Sequence, residues 1–388
     1  MRILLSAVAM VAVSLTMAQS APGDRTAPRE LEGPGGKPAT YVSGRPVFRV
    51  TTNREGLPQN SVQGLAIDST GYLWAGTQDG AAVYNGRRWS TVNMPTRTMS
   101  NFLTSVAADP SGGIWFGTRE GGASKLENGQ WTSYDVTSGL PSNSVRAVLV
   151  EENGEATWFA TDEGVARLSG SQWRTFTDDD GLPDSAATAL LATTGSDGSP
   201  VMLVGTARGV ARIVGDRVER LGPEDDTAPT QVTSLCEFDS GDGVRILWVG
   251  TSAGLFRREG ASWRRFTTAD GLPGDQVRCI SMATMTDGAR ALCVGTIGGL
   301  GIFANGQWRT VNRESGLPDH SVVSILASPS AVRTHLIFLG TSTGLVRWEL
   351  DAWTVVDISD GLPSNNVYSL LESVGAFGEP RMLIGTDA

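Results

Sequence analysis

The chain has 388 residues, of which 40% are hydrophobic and 19% are charged, a composition typical of globular proteins and not of disordered or fibrous ones. Its formal net charge of -10 opposes attraction to polyphosphate and to anionic lipid headgroups, so nucleic acid is not an expected partner. Neither length nor composition requires a second type of fold.

The first 20 residues have the pattern of a secretory signal peptide. Arg2 precedes an apolar stretch from Ile3 to Val13, and small residues suited to cleavage follow. The stretch is shorter than the roughly 20 apolar residues that a membrane-spanning helix needs, which disfavours the alternative of a membrane anchor. We therefore expect export to a periplasmic or extracytoplasmic location. Residues 21–46 are rich in Pro, Gly and charge without a period, and predict a disordered linker.

A dipeptide mark, Gly-Thr with one Ala-Thr variant, recurs along the rest of the chain at intervals of 41, 43 and then five times 45 residues. The marks are Gly76-Thr77, Gly117-Thr118, Ala160-Thr161, Gly205-Thr206, Gly250-Thr251, Gly295-Thr296, Gly340-Thr341 and Gly385-Thr386. A period in the forties, with short apolar runs between Gly-rich turns, predicts four-stranded antiparallel sheets arranged around an axis. The predicted fold is an all-β propeller over residues 47–352, with a partial further blade over 353–388.

One repeat, residues 56–93, shows the plan of each blade. The loop sequence Gly-Leu-Pro leads into an apolar inner strand at 62–67, and further strands follow at 72–77 and 81–84. An Asn-Gly pair, which is the strongest short hairpin signal, precedes a fourth strand that begins at Trp89. We predict that the same plan recurs in every repeat.

Ten of the eleven tryptophans fall at two positions of this plan, either two residues before the mark or at the start of the fourth strand. They are Trp74, Trp115, Trp158 and Trp248 at the first position and Trp89, Trp131, Trp173, Trp263, Trp308 and Trp353 at the second. A repeated aromatic position is first a packing position, because each ring removes on the order of 150–250 Å² from water. The alternative is that one or two of these rings form a platform on which a sugar stacks.

The chain has three cysteines, Cys236, Cys279 and Cys293. Cys279 and Cys293 lie on two strands that are predicted to pair, so a disulfide between them is one alternative. The other is that all three are small buried thiols inside strands, since the fold needs no covalent link.

Residues 139–177, GLPSNSVRAVLVEENGEATWFATDEGVARLSGSQWRTFT, resemble the two-component regulator propeller repeat. The resemblance extends over about residues 47–388. It implies the extracytoplasmic sensing region of a bacterial membrane receptor, in which propellers precede a β-sandwich, one transmembrane helix and a cytoplasmic histidine kinase or diguanylate cyclase. No such downstream segment is among these residues, so we expect membrane attachment only through a segment that would follow them.

The strand count leaves two ways to close the ring, because it gives one strand at Val47–Thr51, seven complete sets of four, and then two strands. In the first, the strand at Val47 completes a seven-bladed ring and Trp353 begins a second propeller, as the lengths of family members favour. In the second, the ring has eight blades and the last blade lacks a strand. Either arrangement removes free sheet edges.

The loops that follow the Gly-Thr marks form the candidate ligand site. In an up-and-down meander these loops emerge on the same face as the Gly-Leu-Pro loops, and a rigid scaffold that presents variable loops is typical of recognition. The candidate residues are Gln78, Asp79, Arg119, Glu120, Asp162, Glu163 and Arg208. Arg119 and Arg208 would hold a carboxylate or sulfate through paired N–H donors. The alternative is that all seven are solvated turn residues.

Catalysis, metals and cofactors have little support in the sequence. There are two histidines, His320 and His335, and no metalloprotease, phosphate-loop or nucleophile-elbow motif. Carboxylate pairs such as Asp162-Glu163 could serve a glycosidase or lyase, and the run Asp178-Asp179-Asp180 could hold calcium. We predict a non-enzymatic sensor that binds a small molecule or oligosaccharide, with receptor self-association as a further option. The alternative is a secreted or periplasmic propeller that scaffolds proteins or acts on polysaccharide.

Overall fold

The computed structural model describes residues 53–85, 88–95, 101–195, 197–222, 229, 231–239, 245–285, 290–315, 317, 319–327, 336–349, 352–359, 362–374 and 380–387. The predicted signal peptide, linker and strand at Val47–Thr51 lie outside these residues. Within them the chain forms strands and three short 3-10 helices, which are Asn53–Glu55, Thr268–Asp270 and Arg313–Ser315. The all-β prediction is confirmed.

The strands form eight antiparallel sheets in chain order. Sheet 1 contains β1 (Val62–Ile67), β2 (Leu73–Thr77), β3 (Gly80–Tyr84) and β4 (Trp89–Val92). Sheet 2 contains β5 (Leu103–Ala108), β6 (Ile114–Thr118), β7 (Ala123–Glu127) and β8 (Gln130–Tyr134). Sheet 3 contains β9 (Val145–Val150), β10 (Thr157–Thr161), β11 (Gly164–Ser169) and β12 (Gln172–Phe176). Sheet 4 contains β13 (Ala187–Thr194), β14 (Pro200–Thr206), β15 (Gly209–Val214) and β16 (Arg217–Leu221).

The second half continues the same order. Sheet 5 contains β17 (Val232–Asp239), β18 (Arg245–Thr251), β19 (Gly254–Glu259) and β20 (Ser262–Phe266). Sheet 6 contains β21 (Val277–Thr284), β22 (Arg290–Thr296), β23 (Gly299–Ala304) and β24 (Gln307–Val311). Sheet 7 contains β25 (Val322–Ala327), β26 (Leu336–Thr341), β27 (Leu345–Glu349) and β28 (Ala352–Val356), and sheet 8 contains β29 (Val367–Val374) and β30 (Pro380–Thr386).

The first strand of every sheet lies innermost and contacts the first strand of the next sheet. Strand β29 contacts β25 on one side and β1 on the other, and β30 also contacts β1. The prediction of seven four-stranded sheets and a partial eighth in a propeller is confirmed. The partial sheet lies between sheet 7 and sheet 1, so the arrangement is that of the eight-bladed alternative, in which this sheet closes the ring. The other arrangement, in which Trp353 begins a second propeller, is wrong, because Ala352–Val356 is the fourth strand of sheet 7.

The glycine of the Gly-Thr mark lets neighbouring sheets approach closely. A Cβ on Gly250 would lie 2.6 Å from Cγ1 of Val277, the first residue of the next inner strand. The same relation joins Gly385 of sheet 8 to Val62 of sheet 1, at 3.2 Å. A Cβ on Gly250 would overlap its neighbour and one on Gly385 would crowd it, so larger residues would push adjacent sheets apart. The glycine of the mark therefore serves the close packing of adjacent sheets, and Ala160 takes its place in sheet 3.

The tryptophans pack between sheets, as predicted. Trp115 of sheet 2 meets Phe159 of sheet 3 edge-on, with ring centroids 5.3 Å apart, and Trp173 lies 5.5 Å from the same phenylalanine. The tryptophans before the marks are buried, and those that open the fourth strands and have described side chains are half-buried. The side chain of Trp353 lies outside the described residues.

A carboxylate accepts the indole N–H of the tryptophan in each of the first three sheets. Asp68, Asp109 and Glu151 each lie two residues beyond the strand partner of that tryptophan, and they accept from Trp74, Trp115 and Trp158 at 2.9, 3.2 and 2.8 Å. In sheet 5 the equivalent residue is Phe238, because Cys236 is the partner of Trp248. The indole N–H of Trp248 is accordingly buried without a hydrogen-bond partner.

The three cysteines are free and buried in the structure. Cys279 is paired with Gly295 and Cys293 with Ser281, so the two thiols are not directly opposite each other. Burial raises the pKa of each of the three thiols to about 12. These positions agree with the interpretation of the cysteines as small buried side chains in strands.

Candidate functional site

The threonine of each mark fixes the loop that follows it. In sheet 5 the hydroxyl of Thr251 donates to the carbonyl of Gly254 at 2.7 Å and accepts from the backbone N–H of Ala253 at 3.1 Å. The mark threonines of all seven four-stranded sheets donate in the same way to the glycine that begins, or in sheets 2 and 7 directly precedes, the third strand. The backbone of the intervening residues, two in each sheet except sheet 2, which has three, is held, and their side chains are left to vary.

Backbone hydrogen bonds join neighbouring loops into one surface, which we call the loop face. Gly80 donates to the carbonyl of Asn101 of the next sheet at 2.9 Å, and Gly122 donates to Asn143 at 2.8 Å. Gln231 donates back to Ala207 at 2.8 Å. The loops after the second strands and the loops that enter the inner strands therefore share this face, as predicted. The Asn128-Gly129 and Asn305-Gly306 turns, with the positive φ angles expected of them, lie at the other end of the sheets.

The structure places the candidate residues of sheets 1 and 2 at the exposed surface of this face. Gln78, Asp79, Arg119 and Glu120 are all exposed. Asp79 accepts from the amide of Asn101 at 3.2 Å. The Arg119 guanidinium lies 5.3 Å from the centroid of the Phe102 ring, a cation–π distance. Arg119 thus presents its guanidinium at the exposed surface, against the Phe102 ring.

The candidate residues of sheets 3 and 4 include two ion pairs. Asp162 pairs with Nε of Arg146, and Arg208 Nε lies 3.3 Å from Asp184. The Arg208 side chain is 78% exposed, so most of its donors still face solvent. Glu163 is exposed beside them. Sequence reasoning found Asp162 and Arg208 but missed their partners.

A second set of residues on this face was not predicted. Each inner strand has a β-bulge immediately after its first residue, and the bulged residue is left out of the strand ladder. Bulges redirect side chains and are enriched beside functional sites. The bulged residues form a ring around the axis at the loop face, and we call them the bulge ring: Gln63, Thr104, Arg146, Thr188, Thr233, Arg278, Val323 and Tyr368.

Three members of the bulge ring connect sheets. The hydroxyls of Thr104, Thr188 and Thr233 donate to the carbonyl of the first inner-strand residue of the next sheet, at 2.7 Å for Thr188 and 2.9 Å for Thr233. Of the other members, Gln63, Arg146, Arg278 and Tyr368 have polar groups, whereas Val323 is apolar. The signal that could have found them is the changing residue type directly after the first apolar residue of each inner strand.

The loop face becomes acidic near sheet 8. Burial and the neighbouring carboxylate of Asp387 both raise the pKa of Tyr368. Asp387 also accepts from the amide of Asn366 at 2.7 Å. In sheet 7, burial opposes ionisation of Asp319, but hydrogen bonds led by that from Ser342 lower its pKa overall. The basic members of the bulge ring, Arg146 and Arg278, belong to sheets 3 and 6.

The aspartate run proposed for calcium serves the loop that carries it. Asp180 accepts from Arg174 at 2.6 Å and from the backbone N–H of Thr177 at 3.0 Å, and Asp178 accepts from Ser185 at 2.6 Å. These bonds occupy carboxylate oxygens that a metal would need. Within the described ranges, no group of three or more His, Cys, Asp or Glu side chains is arranged to hold a metal ion.

Comparisons with known proteins agree with this architecture. Residues 56–79 match the family model of the two component regulator propeller, which confirms the resemblance inferred from the sequence. No curated protein sequence matches the chain. In the part of the chain that the structure describes, no helix has the length and apolar character to cross a membrane.

Solved structures share the fold at low sequence identity. The extracellular domain of BT3049 from B. thetaiotaomicron, assigned to a hybrid two component system, is 18% identical with a TM-score of 0.51, and the match covers 87% of this chain and 52% of that one. The extracellular domain of BT4673 from the same organism, assigned in one structure to a one component system and in another to a hybrid two component system, is 16% identical with a TM-score of 0.51. That match covers 84% of this chain and 50% or 49% of BT4673. The chain thus spans about half the length of the structures it matches.

Proposed function

We propose that this chain is the ligand-sensing propeller region of a bacterial membrane-bound signal transduction receptor, that it is exported, and that it is not catalytic. The observation that carries the proposal is the loop face. There the hydrogen bonds of the mark threonines hold the loop backbone, while the two residues that follow each mark differ from sheet to sheet. A constant scaffold with variable loops is suited to recognition. The similarity to extracellular domains of sensor systems supports the same assignment.

The ligand class that fits this face is a small molecule or oligosaccharide with an acidic group. Arg119 and Arg208 present guanidinium donors at the surface, and Asp79, Glu120 and Glu163 offer acceptors for hydroxyl groups. A ligand that spans several sheets would change the relative placement of propellers or of paired receptors through its differential affinity for the two placements. Such a change could be transmitted across a membrane by a following segment of the receptor.

The non-catalytic assignment is supported by the state of the carboxylates. Of the pair considered for acid and base chemistry, Asp162 is held by Arg146. The Asp178 and Asp180 side chains serve loop hydrogen bonds. These carboxylates therefore have partners within the protein, which supports a role in holding the loops.

A binding screen with single-residue variants tests the proposal. Calorimetric titration with neutral and acidic oligosaccharides is repeated with Arg119→Ala and Arg208→Ala, and with Arg217→Ala as a control, since Arg217 is exposed at the opposite end of sheet 4. Loss of one charge-assisted hydrogen bond costs about 1.5–3 kcal/mol, so affinity should fall about tenfold or more for each loop-face variant. Binding that is unchanged in both variants would remove these arginines from the site.

A further inference from the structure

Two arginines occupy the same position of the bulge ring, one in sheet 3 and one in sheet 6. Arg146 follows Val145, which pairs with the mark threonine Thr161. Arg278 follows Val277, which pairs with the mark threonine Thr296. Both arginines are bulged out of the strand ladder at the loop face. Their backbone settings are equivalent, so differences between them come from their neighbours.

The neighbour of Arg146 is a carboxylate. Asp162 directly follows Thr161 and pairs with Nε of Arg146. In sheet 6 the residue that directly follows Thr296 is Ile297, and the next residue is Gly298, which has no side chain. The Ile297 side chain is 44% exposed, an unusual setting for a large apolar residue in this protein. Sheet 6 therefore has the arginine of the pair without its acid.

The electrostatic consequence is visible at Arg278. Its Nε is buried and has no hydrogen-bond partner, and no ion pair to Arg278 occurs in the described part of the chain. A guanidinium has N–H donors and no acceptor atom. A buried donor without an acceptor is unfavourable. An acceptor that arrives with a ligand would remove that deficit.

We propose that Arg278 binds a carboxylate group of the ligand, which takes the place that Asp162 has beside Arg146. Because Nε of Arg278 is buried in the structure, a ligand reaches it only when neighbouring side chains move; the Nε edge and an adjacent terminal nitrogen then donate two parallel hydrogen bonds to the two oxygens of a carboxylate. The ligand class is a small molecule with a single carboxylate beside hydroxyl groups, such as a uronic acid. The net charge of -10 opposes the binding of highly charged anions at this face. The inference rests on the proposed function. It specifies which group of the ligand is recognised at sheet 6, where the two residues after the mark, Ile297 and Gly298, are uncharged.

The test follows the Nε–H resonances of the two arginines by NMR, assigned with Arg278→Gln and Arg146→Gln. The probe is sodium glucuronate, and its controls are glucose, which lacks the carboxylate, and sodium chloride and sodium sulfate at matched ionic strength. The Arg278 resonance is expected to shift saturably with glucuronate alone, while the Arg146 resonance stays in place because Asp162 occupies its donor. A resonance of Arg278 that does not move with glucuronate, or moves equally with glucose or either salt, overturns the proposal.

Exchanging the residue after the mark gives a second test that leaves both arginines intact. Ile297→Asp gives Arg278 the internal acid that Arg146 has, so the glucuronate shift should be lost, whereas the uncharged variant Ile297→Asn should keep it. Glucuronate binding that is retained in Ile297→Asp contradicts the inference. The proposed function is tested separately: oligosaccharide binding that depends on Arg119 and Arg208, with an unresponsive Arg278, would refute this inference and leave the proposed function standing.

Discussion

The carboxylate of Asp109 offers a direct test of how the propeller satisfies its buried polar groups. Asp109 accepts from the indole of Trp115 at 3.2 Å and from the ammonium of Lys125 at 3.0 Å, and it also caps its own turn through Ser111. Lys125 keeps a second partner in Glu127, at 2.9 Å. Trp115 has no such alternative, since it is only 2% exposed and water cannot replace the acceptor.

We expect Asp109→Ala to lower the free energy of unfolding by about 2–4 kcal/mol. An unsatisfied buried donor contributes about 1–3 kcal/mol of this, and the weakened interactions of Lys125 and of the turn contribute the rest. The assay is urea denaturation followed by tryptophan fluorescence. Asp109→Asn keeps an acceptor oxygen and should recover part of the loss. Asp197→Ala is the control, because that exposed aspartate caps a turn through Ser199 alone and its removal should change stability little.

The pH dependence gives the same argument a second readout. Burial raises the pKa of Asp109, but its hydrogen bonds from Ser111, Lys125 and Trp115 outweigh this and hold the pKa below its ordinary value. A lowered pKa in the folded state stabilises the fold above the unfolded-state pKa, and this contribution is lost as the pH falls through the folded-state value. The difference between wild type and Asp109→Ala should therefore shrink in acid. A difference of less than about 0.5 kcal/mol at neutral pH would refute the reasoning.

Three further predictions concern the repeat mark and the thiols. Gly250→Ala should destabilise by about 1–3 kcal/mol, because its Cβ would lie 2.4 Å from Ser234 Oγ and 2.6 Å from Val277, and denaturation midpoints check this. Thr251→Val keeps the shape but removes the acceptor of the Ala253 N–H and the hydroxyl donor to the Gly254 carbonyl, so it should cost about 1–3 kcal/mol in the same assay; an unchanged midpoint would contradict the role of the mark threonine. Thiol titration with an aromatic disulfide at mildly alkaline pH should label none of the three cysteines in the folded protein and all three after denaturation; rapid labelling of the folded protein would show that burial does not hold them protonated.

Repetition made the fold predictable from the sequence. The Gly-Thr period gave the number of sheets, and the recurring tryptophans gave the packing positions, because the same packing problem is solved in every repeat. The place of the partial sheet was harder to predict, since the strand count alone allows a seven-bladed ring. Contacts of β29 with both β25 and β1 resolve it, and these are long-range contacts that local patterns do not encode.

The site was predictable only in part, for a different reason. The candidate residues were found because the loop pairs vary within a fixed frame, and all seven lie on the loop face. The bulge ring was missed because an extra residue in a short apolar strand, such as Arg146 or Arg278, does not visibly change the hydrophobic pattern of the sequence. The orphan indole of Trp248 was missed too, because it depends on the strand register that puts Phe238 in the carboxylate position.

The central claim is that the loop face is the ligand-binding surface of a sensor propeller, and hydrogen–deuterium exchange tests it most directly. With an acidic oligosaccharide that binds, the claim predicts protection of the loop pairs at 78–79, 119–120, 162–163 and 207–208 and of the start of the inner strand at 277–279. Protection confined to the Asn-Gly turns at 128–129 and 305–306, at the opposite end of the sheets, would contradict it.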